Sequence, residues 1–205
     1  MFSEADIMRP AGFVTALAYA AFGVGVIGIA APVPTHLFPK PQPVCFPTKV
    51  GTTSEWANGR WYTERVAAVE RKDGLTHVTV EWLDGAKWRP GRRVTVSAEG
   101  MVMTEAAGRE VKHPLWLLKQ PHREGNAWEI NLVEHPDVKG TKTAHGPERV
   151  EVPAGRFDAV RVEVRYTLFG KEQRMTEWYA PDVGRVKMVD AGGGTLELKS
   201  FTPGK

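Results

Sequence analysis

The sequence predicts an all-β protein: a strongly curved antiparallel meander that forms a half-barrel or barrel, preceded by an apolar N-terminal helix. Three observations carry this. From Ala159 to Leu168 apolar and polar residues alternate without a fault, the period-2 signature of a strand with one buried and one wet face. Lys72-Asp73-Gly74 and Phe169-Gly170-Lys171 punctuate strand patterns with the positive-φ chemistry of tight hairpins. No stretch after residue 46 sustains a 3.6-residue apolar period with caps.

Taken in order, strands are expected near Trp61–Arg71, Leu75–Leu83, Arg93–Ser97, Met101–Glu105 and Trp128–Glu134. Five more follow near Arg149–Val152, Ala159–Phe169, Glu172–Tyr179, Arg185–Asp190 and Thr195–Phe201. Pro114 to Lys119 reads equally as a short strand or a single helical turn, and Gly192-Gly193-Gly194 as a looser third turn. Hairpins this dense leave no room for the crossovers of about a dozen residues that parallel strands require. One face of the best strand collects Val160, Val162, Val164, Tyr166 and Leu168, and the other Arg161, Glu163, Arg165 and Thr167. Val78, Val80 and Trp82 repeat the arrangement, as do Trp128, Ile130 and Leu132, and Leu196 with Leu198. A single sheet of so many strands curls through its own twist, and its concave side gathers the aromatic and aliphatic residues. A two-sheet sandwich is the other architecture compatible with the pattern.

The N-terminus is of another kind. Ala11 to Ala31 contains no charged residue and follows Arg9 closely. The run exceeds the roughly 7–15 residues of a signal-peptide core and approaches the roughly 20 needed to span a bilayer. Small residues at Gly28 and Ala30 offer a cleavage site before Ala31. Residues 1–31 are therefore either a signal peptide or an uncleaved anchor that places 11–31 in a membrane, and both readings put the rest outside the cytoplasm: periplasm, envelope or extracellular space. Pro32, Pro34, Pro39, Pro41, Pro43 and Pro47 then make 32–45 an extended, semi-stiff spacer, with the β domain at 46–205.

Charge and cysteine usage narrow the class. The whole chain has a formal net charge of +3, thinly spread rather than striped, which argues against a nucleic-acid partner. The one dense cluster, Arg89, Arg92 and Arg93 around Pro90-Gly91, reads as a hairpin tip with solvated arginines. Cys45 is the single cysteine, so no intramolecular disulfide staples the domain. It lies too far beyond the apolar run for a lipid-modified residue and reads as a packed or half-exposed free thiol.

Reactive constellations are absent from the sequence. The histidines His113, His122, His135 and His145 fall at irregular intervals that supply no metal-ligand spacing. There is no Gly-x-Ser-x-Gly turn, and no phosphate-binding glycine loop opens a helix. In Glu134-His135 an acid adjoins a histidine, but neighbours on a strand point to opposite faces. No catalytic residue, cofactor or metal is expected. The tryptophans stand out instead: seven are present, and large rings with one polar tip suit barrel mouths and pockets as well as cores. Trp82, Trp128, Tyr166 and Trp178 are the candidates for a ligand-binding concave face.

Two blocks resemble a known family. Val152-Pro153-Ala154-Gly155-Arg156-Phe157 leads into the alternating strand, and Trp178-Tyr179-Ala180-Pro181-Asp182-Val183-Gly184-Arg185-Val186-Lys187 follows it. Together with Phe46 to Thr52, Pro114 to Leu118 and Gly125 to Trp128, they resemble the TapB-like family of secreted bacterial proteins of unknown function. The resemblance covers residues 46–201 and implies an exported, curved-sheet, all-β domain, similar in shape to the half-barrels that carry lipoprotein acyl chains across the periplasm. It implies no catalytic residues.

The expectation is a non-enzymatic envelope protein whose concave face holds a lipid, another apolar ligand or an apolar protein segment. A structural or interaction module that contacts another envelope protein without a ligand is the alternative. An extracytoplasmic hydrolase comes third, and would need dispersed carboxylates or histidines to converge in one cleft.

Overall fold

Alternating side chains and positive-φ turns build one continuous antiparallel sheet. The computed structural model describes residues 42–57, 61–135 and 137–205, all within one unit spanning Pro41–Lys205. The expected leader, and residues 32–41 of the expected spacer, lie outside the described residues. In order come β1 (Thr53–Ala57), β2 (Trp61–Lys72), β3 (Leu75–Asp84), β4 (Lys87–Ser97), β5 (Gly100–Ala106) and β6 (Arg109–Lys119). They are followed by β7 (Ala127–Asn131), β8 (Lys139–Val152), β9 (Gly155–Leu168), β10 (Lys171–Ala180), β11 (Gly184–Val189) and β12 (Thr195–Thr202).

The sheet order is β6-β5-β4-β3-β2-β1-β12-β11-β10-β9-β8-β7, so the first and last strands are central neighbours and β6 and β7 are the edges. The sheet curls into a nearly closed barrel, as the alternation predicts. Bulges at Val66/Ala68, Val80/Glu81, Ala144/Pro147 and Trp178/Tyr179 concentrate twist and bend the strands. Gly140 lets β8 approach β9 closely, because a Cβ there would lie 3.0 Å from the Arg165 carbonyl oxygen. Across the seam the Trp128 Nε1–H of β7 donates to the Trp116 carbonyl of β6 at 3.4 Å. Lys142 of β8 reaches the neighbouring Leu117 carbonyl, also at 3.4 Å. Edge groups that would otherwise invite another strand are thus partly satisfied from within.

The expected turns are present: Asp73 and Gly74, and Phe169 and Gly170, all have positive φ. Several strand expectations need correction, and one open reading closes. A strand not foreseen, β1, pairs with both β2 and β12. Pro114 to Lys119 lies in β6, as strand. β8 is far longer than Arg149–Val152, because Gly140, Gly146 and Pro147 masked its pattern. Arg89, Arg92 and Arg93 are no hairpin tip, since they lie within β4, and the β3–β4 turn is formed by Gly85 and Ala86.

The interior divides in two. Val66, Val78, Val80, Val94, Val160, Val162 and Val164 belong to the larger cluster inside the barrel. Trp56, Val150, Val152, Ala159, Val186, Leu196 and Leu198 form the second. Ala159 and Val160 are adjacent on β9 and both buried, so this half of the strand is covered on both faces. The Ala154 N–H donates to the Leu198 carbonyl at 3.0 Å, holding the β8–β9 turn against β12.

The chain is docked from Gln42 onward. The Gln42 Oε1 accepts from the His122 N–H at 2.7 Å, the Val44 carbonyl accepts from the Asp182 N–H at 2.8 Å, and Cys45 and Phe46 join the core. Burial, aided by the charge of Asp182, pushes the Cys45 thiol up to about 12. A thiol is nucleophilic only as thiolate. Cys45 is therefore expected to resist maleimide labelling at neutral pH in the folded protein and to react fully in urea. Rapid labelling without denaturant would show that this segment is not docked.

Candidate functional site

Inside the barrel a cavity of about 480 Å³ lies between β4–β6, β7–β8 and β9–β11. That falls within the roughly 300–1,000 Å³ usual for small-molecule sites. Its walls are aliphatic and thioether: Met103 from β5, Leu115 and Leu117 from β6, Leu132 after β7, Met175 from β10 and Met188 from β11. Three methionines give a wall able to adapt its shape. Glu134, His135 and Leu168 line the outer end, where the first two are exposed; Lys142, Glu177 and Tyr179 line the buried end. The cavity thus runs from a solvated mouth to a charged floor.

The floor is a connected ion cluster. The Lys142 Nζ donates to the Glu177 Oε2 at 2.7 Å, and both side chains are at most 5% exposed. The Arg185 Nη1 donates to the other oxygen, Oε1, at 3.1 Å. Beside them, Arg92 engages both carboxylate oxygens of Glu64, its Nη2 donating to Oε2 at 2.8 Å. The register explains the convergence, since Glu177 lies opposite Val162 and Ala144 opposite the same residue, placing β8, β9 and β10 side by side. Burial alone would raise the Glu177 carboxyl, but Lys142 and Arg185 outweigh it and hold the group down to about 2. Burial and the Glu177 charge push the Tyr179 hydroxyl well above its ordinary range, so it remains a neutral donor.

Two solved structures share this sheet architecture. A candidate lipoprotein from Parabacteroides distasonis matches with a TM-score of 0.51 at 13% identity, over 78% of this chain and 99% of that one. A candidate exported protein of YmcC-like fold from Bacteroides fragilis matches with a TM-score of 0.50 at 16% identity, over 78% of this chain and 100% of that one. The likeness is one of fold. No family model matches the chain, and no curated protein does. The TapB-like resemblance therefore rests on its sequence blocks.

Of the four aromatic candidates, only Tyr166 lines the cavity. Trp128 is buried and clasps the barrel seam through Trp116. Trp82 is 40% exposed and donates to the Pro90 carbonyl at 3.2 Å. Trp178 donates to Glu148 at 2.6 Å on the opposite side of β10 from Glu177 and Tyr179. Sequence reasoning passed over Lys142, Glu177, Arg185 and Arg92. Their one signal is positional, for Met175, Glu177 and Tyr179 share an apolar-facing parity on β10 and Glu177 is the charged member. Glu134 and His135 are not on a strand, since β7 ends at Asn131, and both reach the cavity mouth. Among the described residues no group of three or more His, Cys, Asp or Glu is placed to hold a metal ion. The convergence that a hydrolase requires is approached at His145, which meets Glu124 at 2.8 Å and Glu163 at 3.6 Å, but these residues do not line the cavity and Glu163 is bonded by Arg161 and Arg165.

Folding holds Glu177 ionised, so its contribution to stability is complete above the ordinary glutamate range near 4.5 and is lost as pH falls from there towards 2. The urea midpoint of the protein is expected to drop steeply across that window. Glu177→Gln strands Lys142 and Arg185 without their shared carboxylate and is expected to cost about 3–5 kcal/mol at pH 7, with a flatter acid limb. An unchanged midpoint in Glu177→Gln would refute the cluster as a structural element.

Proposed function

We propose that the protein is a non-enzymatic component of the cell envelope that holds an apolar ligand in its barrel cavity. The observation that carries the reading is the cavity itself: about 480 Å³, walled by Leu, Ile, Val and Met side chains and left unfilled by the domain's own core. A core protein of this kind ordinarily closes such space, because interior voids forfeit dispersion attraction and destabilise the fold. Retaining it makes sense for a binder. The export reading is supported by the apolar run Ala11 to Ala31 and by the two fold neighbours, one a candidate lipoprotein and one a candidate exported protein.

A ligand-free interaction module is the second reading, and Phe169 favours it. This side chain is 88% exposed at the β9–β10 turn, with a positive φ that bulky residues rarely adopt. It stacks edge-on with His135 at the cavity mouth, ring centroids 6.1 Å apart. Phe169 offers an exposed ring beside the mouth to a protein partner or an apolar ligand, so it serves either reading.

Native mass spectrometry of the protein recovered from the cell envelope separates them. The carrier reading predicts an apolar mass that accompanies the folded protein and leaves on denaturation. A clean apo mass, together with a bound envelope protein that Phe169→Ala no longer retains, would favour the interaction module.

A further inference from the structure

Resting on the cavity as a binding site, we infer that its cargo is a single-chain amphiphile with an anionic head, a long-chain carboxylate, bound head-inward against Arg185 with its tail along the methionine and leucine wall. The inward direction follows from where polarity lies. In a pocket built for acyl chains alone, the deep end is apolar and polar groups gather at the rim. Here the deep end carries Lys142, Glu177 and Arg185 with Arg92 beside them, and the hydrocarbon wall lies between that floor and the mouth.

The sign of the head follows from the charges. Lys142, Arg185 and Arg92 face two carboxylates, Glu177 and Glu64, which leaves one positive charge uncompensated around the floor. Glu64 is wholly engaged by Arg92, and Glu177 serves both Lys142 and Arg185. Glu134 is the remaining acid of the cavity lining, and it sits exposed at the mouth, where water screens it. A monoanion entering the cavity would supply the missing counter-ion to the half-buried Arg185 and Arg92.

The donor geometry points to Arg185. Arg185 lines the cavity, its Nη1 donates to Glu177 and Met188, and its Nε–H has no hydrogen-bond partner. That atom is shielded from water, so the guanidinium must turn slightly to present it. A planar carboxylate drawing it into the cavity would satisfy Nε and an Nη together, the paired arrangement that guanidinium and carboxylate favour. A lysine at this position would offer only a point charge.

Dodecanoate, dodecanol and dodecylamine, each below its micellar concentration, test this by calorimetric titration of the protein recovered from the envelope and stripped of cargo. Dodecanoate is expected to bind at least about tenfold more tightly than dodecanol, the equivalent of one charge-assisted hydrogen bond, with dodecylamine weakest. Arg185→Lys, which keeps the charge but loses the fork, is expected to cut the acid-over-alcohol preference several-fold. Equal affinity for all three chains in the unaltered protein would overturn the anionic head while leaving the apolar cavity as a binding site. Tightest binding of the amine would overturn its sign. Failure of all three to bind would overturn the cavity reading as well.

Discussion

The Glu177 carboxylate, enclosed between Lys142 and Arg185, is the constraint on which the barrel turns. An ion this deep costs several kcal/mol in lost hydration, and only close opposite charges and hydrogen bonds offset it. Glu177 has both, from strands on either side. Lys142 comes from β8 and Arg185 from β11, so one carboxylate on β10 fixes three strands at a single depth. Through its bond to the Leu117 carbonyl, Lys142 also reaches across the seam to β6. The cluster thus ties the edge strand β6 to β8, next to the other edge, and does so where the cavity ends. Aliphatic residues of similar volume would often hold a fold as well. Their absence here gives the cavity a polar end that a purely structural core would not need.

Around that floor the curvature is distributed. Bulges bend the long strands, small residues such as Gly140 and Ala144 let β8 and β9 come together, and the second cluster fastens the β8–β9 turn to β12. The apolar core is densest in valine on β2–β4 and in the middle of β9. The cavity lies beside it, where methionine and leucine predominate. Branched residues with one preferred rotamer pack solidly, whereas flexible thioethers tolerate a vacancy and a guest of variable shape.

The sequence made the scaffold readable and hid the site, for one physical reason. Periodicity reports which face a strand buries, provided buried means apolar. β9 satisfies that rule at Val160, Val162 and Val164, and the β2–β3 and β9–β10 turns carry Asp73-Gly74 and Phe169-Gly170 chemistry, so fold class and most strands could be deduced. Lys142, Glu177, Arg92 and Arg185 break the rule by pointing charge inward, and each looks like an ordinary solvated residue until its cross-strand partner is known. The same blindness turned the Arg89 to Arg93 segment into a supposed hairpin tip, although Arg92 is bound to Glu64. Ring size misled in the opposite direction. Trp128 and Trp178 spend their N–H groups on the seam and on Glu148, and the cavity wall is built from less conspicuous residues.

A crystal structure of the protein with 12-bromododecanoate locates both ends of the bound chain, because bromine marks the chain terminus by its anomalous signal. Bromine is expected near the mouth, by Leu132 and Leu168, and the carboxylate on Arg185. Bromine at the floor, or found only outside the barrel, would contradict head-inward binding.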